Sequence, residues 1–246
     1  MKTASATALN NRGTSRTNGY PTNPSAVFHV KDPLSALTHF IGFVAAILAM
    51  PVFLVYAATQ GLGGVELASF GVFALSMVLL YGASTAYHTF QPETEKAALL
   101  LKRIDHMMIF ILIAGSYTPV CVCFLPASVG TPMLIAVWVV ATLGIAFKAF
   151  WVTCPKWVSS VIYICMGWLC VFALPAIFES LNPVAFGFLL AGGIAYTVGG
   201  VIYALKIDAL RRIHPDFGPH ELFHIFVMVG SLCHYITMVS QIALLG

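Results

Sequence analysis

Three short stretches of this sequence combine residue types and spacings suited to chemistry: Ser84-Thr85-Ala86-Tyr87-His88, Arg103-Ile104-Asp105-His106 and His220-Glu221-Leu222-Phe223-His224. On a helix, residues four apart rise about 6 Å and share one face, so His220 and His224 can grip one metal ion, and Ser84 lies a turn before His88. Three neutral imidazoles with a fourth position held by water make an open zinc site. An ionised Asp105 could orient or deprotonate that water, and Ser84 could hydrogen-bond the same water or a substrate oxygen. The expected metal ligands are therefore His88, His220 and His224, the expected ion is Zn2+, and Asp105 and Ser84 are the expected catalytic groups.

The same segment literally matches the H-E-x-x-H signature of zinc proteases, in which the Glu is the general base. Such enzymes usually draw a third ligand from later in the chain, and none of the 22 residues after His224 is Asp or Glu. His39 follows Ser35 by four, repeating the Ser-x-x-x-His pattern, and is read as a helix-packing residue, with membership of the polar cluster as the alternative. His234 lies ten residues beyond His224, about 15 Å along a helix, too far to share the same ion. His29, His106 and His214 read as interfacial or loop residues.

Helices in a membrane must position these groups. The chain is 59% apolar and 9% charged, far too little polar surface to cover a soluble globule of 246 residues. Apolar runs of about 20 residues, the length needed to cross about 30 Å of hydrocarbon, occur seven times. They lie near Leu37–Thr59, Leu67–Tyr87, Ile104–Leu125, Met133–Trp151, Val158–Phe178, Val184–Leu205 and His220–Leu244. Between them stand Gly and Pro breaks such as Gly61-Leu62-Gly63-Gly64 and Asn182-Pro183. The expected fold class is all-α, an integral membrane bundle of seven transmembrane helices.

Cations fix the expected orientation. Lys2, Arg12, Arg16 and Lys31 precede the first run; Lys96, Lys102 and Arg103 follow the second, Lys148 and Lys156 bracket the break after the fourth, and Lys206, Arg211 and Arg212 follow the sixth. These are all 12 Lys and Arg, so the positive-inside rule puts the N-terminus in the cytoplasm and the C-terminus outside. The net charge of +3 is thus a topology signal, and no basic face is gathered for nucleic acid. Residues 1–35, rich in Ser, Thr, Asn, Gly and Pro, read as a disordered cytoplasmic tail before a membrane domain over 36–246. The six cysteines sit in or beside apolar runs and read as small hydrophobes; a Cys121–Cys123 disulfide would be strained.

The order Ser84-x-x-x-His88, Asp105, His220-x-x-x-His224 within seven helices resembles the progestin and adipoQ receptor family, in particular its bacterial hemolysin III branch of membrane homeostasis proteins. The resemblance runs from about Asp32 onward. It implies His88, His220 and His224 as zinc ligands, Asp105 as the residue bound to the zinc water, and Ser84 as its neighbour. It also implies membrane lipid as ligand or substrate, since the wider superfamily includes hydrolases of lipid amides. Ahead of Ser35, where the family commonly carries an acidic residue, this chain reads Lys31-Asp32-Pro33 and is taken to depart from the pattern.

Three functions fit: a zinc-dependent hydrolase of a lipid amide or ester, a non-catalytic lipid sensor in which zinc staples the helices, and a hemolysin-like pore. The helices carry almost no charge or regular polar stripe that could line a conduction path, which argues against the pore.

Overall fold

The computed structural model describes residues 29–207 and 217–245. Residues 1–28 of the expected tail, and Arg211, Arg212 and His214, lie outside these. Seven helices are long and apolar enough to cross a membrane: α1 Pro33–Thr59, α2 Gly64–Thr89, α3 Glu95–Phe124, α4 Ala127–Phe150, α5 Lys156–Ser180, α6 Pro183–Leu205 and α7 Pro219–Ile242. Every helix begins earlier than its apolar run, most of all α3, because hydropathy marks only the hydrocarbon core while hydrogen bonding carries a helix on into the polar interface. Lys96, Lys102 and Arg103, expected in a loop, are therefore helical, and Asp105 sits nearly three turns into α3 instead of at its start.

Local chemistry sets the boundaries. Pro33, Pro183 and Pro219 occupy the first turns of α1, α6 and α7, where the missing N–H costs no helix bond. Thr94 caps α3 by accepting from the Ala97 N–H, and Asn182 caps α6 by accepting from Ala185. After Pro119, α3 widens into a π turn over Val120–Phe124. Within α5 the backbone tightens to a 3-10 helix over Trp168–Ala173 before Pro175. Carbonyls and amides freed there need partners, because no water is available at that depth. Tyr117 of α3 supplies them: its hydroxyl donates to the Gly167 carbonyl at 2.6 Å and accepts from the Cys170 N–H at 2.8 Å.

Lipid-facing positions are apolar, as at Leu48, Val52, Leu143 and Phe172, while the interior collects polar side chains. Helices α6 and α7 pack closely because each offers a glycine to the other's large side chain. A Cβ on Gly192 would fall 2.4 Å from His234 Cδ2, and one on Gly230 would fall 2.7 Å from Tyr196 Cε1.

The bundle interior does carry one polar face. One face of α7 presents His220, His224, Ser231, His234, Thr237 and Gln241 along its length, all but His220 buried. Hydropathy hides this face because the apolar residues between these positions dominate the average. Much of the stripe is cross-helix glue, not a water-lined path. Ser231 is bonded to the Tyr81 and Tyr196 hydroxyls at 2.7 and 2.8 Å, Thr237 donates to the Ala185 carbonyl, and Gln241 accepts from the Asn182 amide. All six cysteines are free thiols.

Candidate metal centre

Segments from α1, α2, α3 and α7 converge at the basic end of the bundle. His88 stands in the last turn of α2, and His220 and His224 in the first two turns of α7. Their ligand atoms all lie within 4.8 Å of one another, and Nε2 of His88 is 3.0 Å from Nε2 of His220. In a tetrahedral zinc site with Zn–N bonds near 2.0–2.1 Å, neighbouring nitrogens stand about 3.3 Å apart. Side-chain rotations of about an ångström would therefore bring all three imidazoles to bonding distance. The donor set fits a divalent cation with an open position.

Outer partners aim the ligands. The Asp32 carboxylate lies 3.0 Å from His88 Nδ1, and the Thr38 hydroxyl 3.2 Å from His224 Nδ1. Each engages Nδ1 of its imidazole and leaves Nε2 for a metal, the usual support for a metal-bound histidine. Asp32 is fixed in turn by its own backbone, whose N–H donates to the His88 carbonyl at 2.9 Å, while Lys31 N–H reaches the Thr89 carbonyl. These bonds satisfy carbonyls that the end of α2 would otherwise leave orphaned. Burial alone would push the Asp32 carboxyl up, but the His88 hydrogen bond and the Lys31 ammonium, 3.4 Å away, hold it below the ordinary carboxylate range.

Asp32, three residues ahead of Ser35, is thus held against His88 by a turn that folds back onto the end of α2.

Glu221 does not face the histidines. Its Oε1 accepts from the Ser35 hydroxyl at 2.6 Å and its Oε2 from the Gly218 N–H at 2.9 Å, so both oxygens serve the first turn of α7 and its junction with α1. That occupation removes the ground for reading His220-Glu221-Leu222-Phe223-His224 as a protease motif.

His39 is buried and stacked on His224, ring centroids 3.6 Å apart, with neither ring nitrogen hydrogen-bonded. His39 thus packs within the polar cluster itself. His106 has its Nδ1 buried without a partner beside the same cluster. His220 Nδ1 is likewise unpartnered.

Asp105 and Ser84 are both buried and line a cavity of about 220 Å3 that His220 and His224 also line. Ser84 lies near enough to Asp105 to interact with it but makes no well-aligned hydrogen bond. Along α3 the cavity wall runs from Lys102 to Cys121, a rise of about 28 Å. Its walls are chiefly apolar, with Tyr196 and His234 partway along.

The geometry thus offers a three-histidine cation site beside a buried carboxylate and hydroxyl, at the head of a long apolar cavity. The family described as Haemolysin-III related matches residues 28–235. The chain belongs to that family. A Hemolysin-3 homolog of Bacillus subtilis (strain 168) is 35% identical over 206 residues, covering 83% of this chain and 92% of that protein. Hemolysin-3 of Bacillus cereus is 36% identical over 204 residues, covering 82% and 88%. A more distant relative, the Adiponectin receptor protein of Drosophila melanogaster, is 25% identical over 217 residues, covering 80% of this chain and 48% of the receptor. As a member of the haemolysin-III family with seven membrane helices, the protein is a multi-pass membrane protein.

Proposed function

We propose that this chain binds zinc through His88, His220 and His224 and acts on membrane lipid, hydrolysing a lipid amide or ester, and that this activity serves membrane lipid homeostasis. The observation that carries the reading is a cluster of three imidazoles, two of which line the cavity together with a buried carboxylate and a buried, unpartnered hydroxyl. Bound zinc would supply a Lewis acid and a water acidified toward neutrality. The chain's own groups do the rest. Asp105 receives the proton released as the nucleophile attacks and returns it to the leaving group. Ser84 hydrogen-bonds the substrate oxygen, and Asp32 and Thr38 keep His88 and His224 in their working orientation. The cavity is long enough for an acyl chain spanning one leaflet of about 15 Å, and its apolar walls exclude bulk water. The positive-inside pattern puts this end of the bundle on the cytoplasmic side.

The test is metal content of the detergent-purified protein, wild type beside His88→Ala and His220→Ala, followed by fatty-acid release from N-acyl and ester lipids. About one zinc per chain, lost in both variants, is expected. Asp105→Asn should keep its metal and lose the release. A folded wild type that takes up no zinc would end the metal reading. Full zinc with no release from any lipid would leave the second reading, a lipid sensor. That reading draws on Asp32, Ser35 and Thr38, which tie α1 to both ligand-bearing helices.

A further inference from the structure

Lys148, near the end of α4, is wholly buried, with 0% of its surface exposed. Its ammonium donates to Ser159 Oγ at 2.5 Å and to Cys154 Sγ at 3.2 Å, and the Phe147 ring centroid is 5.8 Å away. Among the described residues no carboxylate pairs with it; the ion pairs found involve Lys31, Asp32 and His88. An ammonium withdrawn from water without an anion costs several kcal/mol even after relaxation. In a membrane protein such a residue faces the bundle interior and marks a functional site by default.

Its surroundings say what would offset the charge. Cys154 and Ser159, its two partners, line the same cavity as the histidines, together with Ser160, Lys156 and Lys102. The carboxylate among the lining residues is Asp105 alone, against two lysines in the wall and Lys148 bonded to two of the lining residues. Because Ser159 Oγ already accepts from Lys148, its proton is free to donate away from the lysine. The neighbour within reach is Cys154 Sγ at 3.2 Å, a weak acceptor that an anionic oxygen would displace. The ammonium has a third N–H beyond the two it spends on Ser159 and Cys154. Basic pockets between membrane helices at the cytoplasmic face are a recurring way of holding acidic headgroups.

We propose that Lys148, Ser159 and Cys154, with the cavity-lining Lys156 and Lys102, form a seat for the anionic headgroup of a membrane lipid, distinct from the three-histidine centre. The shared chemistry is a phosphate or carboxylate oxygen received by the Ser159 hydroxyl and neutralising Lys148. The site stands whether or not the histidine centre is catalytic.

The experiment uses the full chain in neutral detergent, with phosphatidylglycerol, phosphatidylcholine, oleate and inorganic phosphate added separately. Retention is read by native mass spectrometry and thermal unfolding by tryptophan fluorescence. Phosphatidylglycerol or oleate should be retained about fivefold or more over phosphatidylcholine, the effect of one lysine charge, and should raise the unfolding temperature. Lys148→Met should abolish both responses. In lipid-free detergent this variant should unfold no earlier than wild type, because an uncompensated buried charge is gone. Ser159→Ala should weaken retention in the same direction, which keeps the test decisive should Lys148→Met fail to fold. Zinc content is measured alongside and should be unchanged. Equal retention of phosphatidylcholine, or an anionic response that survives in both variants, would overturn the site. Inorganic phosphate matching the lipids would overturn the lipid assignment.

Discussion

Replacing Asp32 by Asn tests the logic of the metal centre at a residue that touches no metal. The side chain keeps its shape and the backbone bond from Asp32 N–H to the His88 carbonyl survives, so the helix junction stays intact. What is lost is a charged acceptor 3.0 Å from His88 Nδ1. Removing an outer partner of a metal-bound histidine typically costs between 10- and 100-fold in metal affinity, about 1.4 to 2.7 kcal/mol. The Asp32 side chain is 44% exposed, and water screens part of its charge, so the expectation lies at the lower end, about tenfold. Thr38→Val, which removes a neutral partner from His224 Nδ1, should cost less. The assay is a chelator competition titration of the purified protein, with His88→Ala as the reference for losing a ligand outright. Zinc affinity within twofold of wild type in Asp32→Asn, beside a large loss in His88→Ala, would refute the claim that Asp32 orients the ligand.

Glu221→Ala should destabilise the fold by the worth of a helix cap, about 1 kcal/mol in thermal unfolding, and leave zinc bound; complete loss of zinc with unchanged stability would assign Glu221 to the metal instead. Gly192→Ala drives a methyl against His234 and should cost about 1–3 kcal/mol in thermal unfolding, whereas Gly187→Ala, which meets nothing within 4 Å, should be neutral or slightly stabilising. Tyr117→Phe leaves the Gly167 carbonyl and Cys170 N–H of α5 without their partner and should destabilise by about 1–3 kcal/mol; an unchanged unfolding temperature would mean those groups are satisfied elsewhere.

Much of the architecture was legible in the sequence because membrane insertion is a local, nearly additive property. A run of about 20 apolar residues must become a helix whatever its neighbours do, and Gly and Pro mark its ends. The 3.6-residue period was enough to put His220 beside His224 and Ser84 beside His88. The meeting of His88 with the α7 pair was expected from motif order and found in the fold. Helix starts were less legible, as the early start of α3 shows, because amphipathic turns in the interface carry no hydropathy signal.

Tertiary structure alone decided which groups face one another across the bundle. Asp32 meets His88 across 56 residues of chain, and Ser35 meets Glu221 across 186. Such contacts depend on how each helix is rotated and on where it crosses its neighbours, quantities set by the packing of all seven helices together and not by any one segment. For the same reason Glu221 turned out to cap a helix inside a protease-like motif, His39 to stack on a candidate ligand, and α7 to carry a polar face. In the sequence Lys148 is one more cation marking a membrane face. Only the packing of α4 against α5 made it a buried charge with no carboxylate beside it among the described residues.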